Sequence, residues 1–236
     1  MNNESFTNKL GQPIGELISS WTNRPFPPHT TMEGQYCTIN FLDVVKHGED
    51  LFNAFTKDIN NQDWTYLPYG PFETKKEFFD WLQNECTSND PFFHTIIDRA
   101  NNRSIGMASY LRINNKDGVI EVGHVHYSPV MQKKPIGTEV MYLMMKRVFD
   151  ELKYRRYEWK CNALNLRSCV AARRLGFKFE GIFKQHMISK NRNRDTAWFA
   201  IIDKDWPRIK ENFNKWLDKN NFNEDGSQKV SLSSLM

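Results

Sequence analysis

The stretch from Glu121 to Leu152, EVGHVHYSPVMQKKPIGTEVMYLMMKRVFDEL, decides the fold. Its opening, EVGHVHY, alternates in the manner of a strand. QKKPIG is a tight basic loop, and Ile136, Val140, Leu143, Met144, Val148 and Leu152 then line one face of an amphipathic helix. A helix that opens directly after a strand points unpaired backbone N–H groups outward, and such groups bind anions. Lys133 and Lys134 add positive charge at that point. A phosphate-bearing ligand is the first expectation.

Downstream, RRYEWKC (155–161) predicts the next strand. Strand, crossover helix and strand imply a parallel pair. Upstream, PFFHTIID (91–98) and SIGMASYLRI (104–113) flank a turn, and the turn NNKDG (114–118) leads into EVGHVHY. Asp-Gly readily takes positive φ, so residues 91–127 read as a three-stranded antiparallel meander. QYCTINFLD (35–43) predicts an earlier strand, with helices over 46–56 and 74–87. The aromatic-rich loop NNQDWTYLPYGPF (60–72) lies between those helices. A helix over 165–177 stops at Gly176, two strands flank KNRNRD (190–195), and a helix spans 205–219. The expected class is α/β (α+β): one mixed, mostly antiparallel sheet with helices on both faces. Residues 1–33 read as an N-terminal extension, 34–206 as the domain, and 207–236 as a C-terminal helix with a mobile polar tail.

Length and composition suit such a domain. The chain has 236 residues, 39% hydrophobic and 14% aromatic. Its formal charge of +4 fits a local basic site for a small anion and argues against a nucleic-acid surface. No run approaches the ~18 apolar residues of a membrane span, so no membrane partner is expected. The first residues, MNNESFTNKLGQ, lack a basic-then-apolar leader, and a cytoplasmic location is the expectation. Cys37, Cys86, Cys161 and Cys169 form no C-x-x-C and no zinc-type cluster, which predicts reduced thiols and no metal.

The segments EVGHVHYSP, QKKPIGTEV, YRRYEWKCNALNLRSCVAARRLGFKFEG and NRNRDTAWFAIID, with WTYLPYGPF, resemble the GNAT superfamily of acetyl-CoA-dependent N-acetyltransferases. Together they cover roughly 35–206. Within the superfamily the chain is similar to the RimJ/RimL branch of ribosomal-protein N-terminal acetyltransferases. The resemblance implies a seven-stranded sheet whose central parallel strands splay to admit the pantetheine arm. It implies acetyl-CoA as donor, CoA as co-product, and direct transfer to a primary amine, either a protein N-terminus or a small molecule. The contrasting reading is a GNAT-fold module that holds acyl-CoA without turnover. The superfamily's pyrophosphate loop reads Gln/Arg-x-x-Gly-x-Gly/Ala. Gln132 and Gly137 match it, and Pro135 replaces the first glycine. Proline suits the first helical position but has no N–H to give. The cradle then falls to the amides of Gln132, Lys133 and Lys134 and of Ile136, Gly137 and Thr138.

The resemblance also implies roles. Val125, His126 and Tyr127 sit where a backbone N–H meets the thioester carbonyl; packing alone is the other reading of Val125 and Tyr127. Ser168 falls where the RimL-type pattern places a proton donor for the CoA thiolate, and Asn165 is either a helix cap or a cofactor contact. Candidates for the general base are His124, His126, Glu121 and His186. Met187 stands where the RimL-type pattern carries glutamate. Arg173 and Arg174 are either a solvated face or holders of CoA phosphates. Glu180 reads as a sheet-edge residue. Trp64, Tyr66, Tyr69 and Phe72 fall in the region that lines the acceptor groove, where they either grip substrate or form a lid. A homodimer through the C-terminal strands or helix is compatible with the pattern. The acceptor and the acyl-chain preference are not written in the sequence.

Overall fold

A computed structural model describes residues 6–236. Two short strands, β1 (Phe6–Thr7) and β2 (Pro13–Ile14), form a separate hairpin. All other strands join one sheet: β3 (Met32–Glu33), β4 (Cys37–Phe41), β5 (Phe92–Asp98), β6 (Arg103–Asn114), β7 (Val119–Tyr127), β8 (Arg156–Asn162), β9 (Lys178–Ser189) and β10 (Arg192–Ile202). Their order is β3-β4-β5-β6-β7-β8-β10-β9, and among the described residues only the β7–β8 pairing is parallel. The helices are α1 (Val44–Phe55), α2 (Lys75–Glu85), α3 (Pro135–Lys146), α4 (Leu166–Arg174), α5 (Trp206–Leu217) and α6 (Leu232–Leu235).

The sheet has eight strands where seven are expected. The eighth, β3, is the end of the N-terminal extension, and its two residues pair with Thr38 and Ile39. The extension is strapped to the body by polar contacts. The Trp21 indole donates to the Lys116 carbonyl, and Arg147 donates to the carbonyls of Thr30 and Thr31. Glu139 on α3 is buried and accepts from the amides of Gln35, Tyr36 and Cys37 at 2.6–2.9 Å. A buried carboxylate with three amide donors is satisfied, and it fixes α3 against the β3–β4 turn.

Each face of the sheet carries its own core. One is built by Ile96, Tyr110, Val140, Met144, Val148, Tyr157 and Phe199, with α3 and α5 above it. The other is built by Leu51, Phe55, Trp64, Phe78, Leu82, Phe93 and Met107, under α1 and α2. The helical apolar spacing seen in the sequence is therefore burial against a sheet. Turn chemistry also behaves as expected: Gly118 in NNKDG has φ +65°, and Gly176 after α4 has φ +92°.

The polar C-terminus, where composition predicts a mobile tail, folds back on the body. Asn221 donates to the carbonyls of Trp216 and Val230, and Leu232 is fully buried in the main core. Among the described residues no helix is long and apolar enough to cross a membrane.

Candidate active site

The site begins where a pairing stops. β7 and β8 pair only from Val119–Arg156 to Val122–Trp159, and then part. On its other side β7 carries a bulge, because Gly123 faces Ser109 while His126 faces Met107. His124, inside the bulge, has φ +50°. Bulges re-aim the backbone and its side chains, and they are common beside active sites. The consequence here is a length of β7 backbone beyond Val122 with no β8 partner. Two cavities meet at that gap.

The larger cavity measures about 1210 Å³ and runs past the start of α3. No side chain caps this helix, and Pro135 occupies its first turn. The amides of Lys134, Ile136 and Gly137 thus lack intrahelical acceptors and form an anion site, whereas the Thr138 amide, expected from the sequence to join them, closes the first helical turn on the Lys134 carbonyl. Lys133, with φ +60°, turns the chain just before it. The charged residues lining the cavity are Asp63, Lys133, Lys134, Arg167 and Arg174, one carboxylate against four cations. Arg174 donates to the Thr138 hydroxyl at 3.0 Å, and burial lowers its pKa. It faces inward, whereas Arg173 is exposed and lies over Phe179 and Phe199. A long cleft with free helix amides, excess positive charge and an apolar stretch at Val125 and Trp159 fits a nucleotide diphosphate joined to an uncharged arm, as in coenzyme A. Val125, His126, Tyr127, Gln132, Lys133, Lys134, Gly137, Thr138, Asn165 and Ser168 all line it. Ile136 is an exception, because its side chain is buried in the core and only its amide is available.

Six residues belong to both cavities: Asp63, Tyr66, Val125, Trp159, Asn165 and Ser168. Asn165 is the N-cap of α4 and accepts from the Ser168 amide at 3.1 Å. The Trp159 indole donates to Ser168 Oγ at 2.9 Å. One lone pair of that hydroxyl is thereby occupied while its own proton stays available. Asp63 was not visible as a site residue in the sequence. It accepts from Gln132 Nε2 at 2.7 Å, and Gln132 also donates to the Tyr127 carbonyl. Burial, together with the charge of Asp58, raises the Asp63 pKa. The signal that could have found it is a lone acid within the aromatic loop that covers the gap.

The smaller cavity measures about 330 Å³ and lies on the other side of the junction. It changes several sequence expectations. Glu121 lines it but is an ion-paired residue, held by Arg112 at 2.8 Å and Lys160 at 2.9 Å. His124 also lines it; its Nδ1 shares a hydrogen bond with the Tyr69 hydroxyl at 3.0 Å, and burial lowers its pKa to about 4. His126 is 3% exposed, stacked on Phe55 at 3.8 Å and edge-on to Trp64 at 4.2 Å. Burial takes its pKa to about 3, so it is a poor proton acceptor near neutrality. His186 lies outside both cavities, exposed on β9 and bonded to the Thr196 hydroxyl. Of the four loop aromatics, only Tyr66 reaches the cavities, where it donates to the Leu164 carbonyl. Trp64 is core, and Tyr69 and Phe72 pack against the same cluster. Glu180 sits on the terminal strand β9, paired with Arg156. The described cysteines are free and buried, and burial raises the thiol pKa of Cys37, Cys86 and Cys161. None is activated as a nucleophile.

Comparison with known proteins gives the same answer. A structure described as a GCN5-related N-acetyltransferase from Brucella melitensis is 42% identical, with 92% of this chain and 99% of that one covered and a TM-score of 0.90. A "probable acetyltransferase (GNAT family)" from Chromobacterium violaceum is 35% identical over 83% of this chain and 98% of its own, with a TM-score of 0.77. The Bacillus subtilis protein YnaD, an uncharacterized N-acetyltransferase, is 25% identical over 154 residues, 64% of this chain and 86% of its own. The acetyltransferase (GNAT) domain model matches residues 44–178, from the start of α1 through the parted strands to the start of β9. The cleft, the uncapped helix and these relatives agree: the chain belongs to the GNAT family of N-acetyltransferases, enzymes that use acetyl-CoA.

Proposed function

We propose that this enzyme passes the acetyl group directly to a primary amine, on a protein N-terminus or a small molecule, in the manner of the RimJ/RimL branch. The observation that carries the reading is the pair of cavities joined at Asp63, Tyr66, Val125, Trp159, Asn165 and Ser168. The larger suits the donor and the smaller suits an acceptor that arrives from the opposite side. A module that only holds acyl-CoA has no need of the second opening. His124 and His126 are enclosed, as such a module would allow, but the second cavity favours transfer.

Acetyl-CoA supplies an activated thioester. The protein's residues do the rest. Lys133, Lys134, Arg174 and the free amides of α3 hold the diphosphate end. The unpaired β7 backbone at the bulge offers fixed N–H dipoles to a carbonyl oxygen as charge develops on it. Asp63 is positioned to take a proton from the incoming ammonium, directly or through a water. A lysine-like amine of pKa about 10.4 needs that help more than an α-amine of about 7.7–8.0. The Ser168 hydroxyl, oriented by Trp159, gives its proton to the departing thiolate and regains one from the positively charged nitrogen of the tetrahedral adduct. No covalent enzyme intermediate is required, in keeping with buried, unactivated thiols.

The test is thiol release from acetyl-CoA with a panel of N-terminal peptides, polyamines and aminoglycosides. Release that depends on an added amine supports the reading, and release with peptides alone supports the RimJ/RimL assignment. Tight CoA binding with no amine-dependent release overturns it. The same reading includes self-association through the C-terminal strands. β9 is the sheet's terminal strand and exposes Phe179, Ile182, Phe183 and Ile188. Light scattering tests it.

A further inference from the structure

The smaller cavity has a charge imbalance that the transfer chemistry does not use. Six of its lining residues are charged: Asp63, Arg112, Glu121, Lys160, Lys190 and Arg194. Glu121 is shared by Arg112 and Lys160, and Lys160 also meets Glu158 at 2.7 Å. Lys190 donates to the carbonyls of Trp64 and Gly70 at 2.9 and 2.6 Å, which hold it without cancelling its charge. Arg194 is half-buried, and among the described residues no carboxylate forms an ion pair with it. Its Nε is buried with no hydrogen-bond partner.

The strand geometry maintains that isolation. The β9–β10 ladder slips between Arg194–Met187 and Thr196–Phe183. Asp195, at the slip, is committed elsewhere: it accepts from the Gln185 amide at 2.8 Å and from Asn193 at 2.9 Å. The cross-strand neighbour Met187 is apolar and lines the same cavity. Burial lowers the Arg194 pKa, the nearby Cys161 and Glu121 offset this only in part, and Arg112 adds to it. A partly dehydrated guanidinium offers a planar fork of donors that matches carboxylate or phosphate oxygens.

We propose that the acceptor amine carries an oxyanion, a carboxylate or a phosphate, and that Arg194 receives it, with Lys190 adding to the local positive potential. The inference rests on the amine-acetyltransfer reading above. It gives the acceptor a direction: amine toward Asp63 and Ser168, acid toward β10.

The test uses the full chain, acetyl-CoA and matched acceptors whose reacting amines are alike. One pair is glutamic acid α-amide against glutaminamide. The other is phosphoserinamide against serinamide. The reading is the ratio of kcat/KM for acidic over neutral member. A charge-assisted contact predicts a ratio of about tenfold or more in at least one pair. The pair that shows it identifies the oxyanion. Arg194→Gln should bring that ratio to about one, and Arg194→Lys should keep part of it, because the charge survives without the fork. A wild-type ratio near or below one in both pairs overturns the proposal, even if no variant folds. So does an Arg194→Gln protein whose two rates fall together. No release with any amine, while calorimetry still detects CoA binding, sinks the amine reading itself and the inference with it.

Discussion

Ser168 receives one hydrogen bond from Trp159 and gives its amide to Asn165, so its hydroxyl is oriented before any ligand arrives. Ser168→Ala should lower kcat by roughly tenfold, a modest loss because a thiol of pKa about 8.5 leaves tolerably unaided. CoA affinity by calorimetry should stay nearly constant; a large loss of affinity would make Ser168 a binding residue. Asp63 carries a second prediction. Its pKa is raised, and a base must be ionised to work, so activity should fall with pH through a limb above the ordinary carboxylate value of about 3.9. Asp63→Asn keeps the shape and should erase that limb while lowering kcat by about a hundredfold. An unchanged pH–rate profile would place the base elsewhere. These two residues differ in how visible they were. The role proposed for Ser168 comes from resemblance to the RimL-type pattern at NALNLRS, where spacing alone gives only the Asn165 cap. Asp63 acquires its role only by meeting Gln132, far along the chain. His126 shows the opposite failure, since alternation places it on a face but does not say that Phe55 and Trp64 enclose it.

At the scale of elements, α3 is where sequence and structure agree most closely. The basic loop, the proline at the first turn and the apolar face from Ile136 to Met144 were all legible, because each is a local preference summed over consecutive residues, whereas the expected continuation through Val148 to Leu152 winds as a π-helical turn, Arg147–Glu151. Pro135 gives up one amide in a helix start that otherwise has three to offer. Pro135→Ala restores a donor at the mouth of the cleft, and CoA should bind a few-fold more tightly, in line with about 0.5–1.5 kcal/mol for one added hydrogen bond. The α3 start loses its preset φ, so the melting temperature should drop slightly. Calorimetry showing equal or weaker binding would mean that position 135 does not face the phosphates. The β7 bulge was not legible. EVGHVHY reads as an even strand, and the slip depends on how β6 and β8 compete for its backbone. Strand β3 and the packed C-terminus escaped for a similar reason, since two-residue pairing and single anchors such as Leu232 leave no periodic trace.

Burial lowers the pKa of four histidines, His47, His94, His124 and His126, and this links the stability of the whole molecule to pH. His94, 1% exposed between Phe92 and Tyr110, has its pKa lowered to about 3 by burial and by Arg147. His126 is lowered to about 3 by burial, and His124 to about 4 by burial with help from Arg112 and Arg194. The unfolded chain protonates all four near 6.5. Below that pH the unfolded state binds protons that the folded state refuses, so stability is complete above about 6.5 and falls as pH drops toward the folded values. Each of His94, His124 and His126 should remove about 1.4 kcal/mol per pH unit once well below 6.5, or about 4 kcal/mol together at pH 5.5, and His47, lowered in the same direction, adds to this. Most carboxylates titrate lower, near 3.9–4.3, so the histidines dominate the interval from pH 7 to 5, with the raised Asp63 a single opposing group. Urea titrations across it should show the unfolding free energy declining with an uptake of about three to four protons at its lower end. His94→Phe keeps an aromatic ring in the same pocket and should remove one proton from that slope, whatever it does to stability at pH 7. A flat free energy between pH 7 and 5 would mean that these rings gain hydrogen-bonded partners when protonated, and that the two aromatic cores are less closed to water than the packing of Phe55, Trp64 and Tyr110 requires.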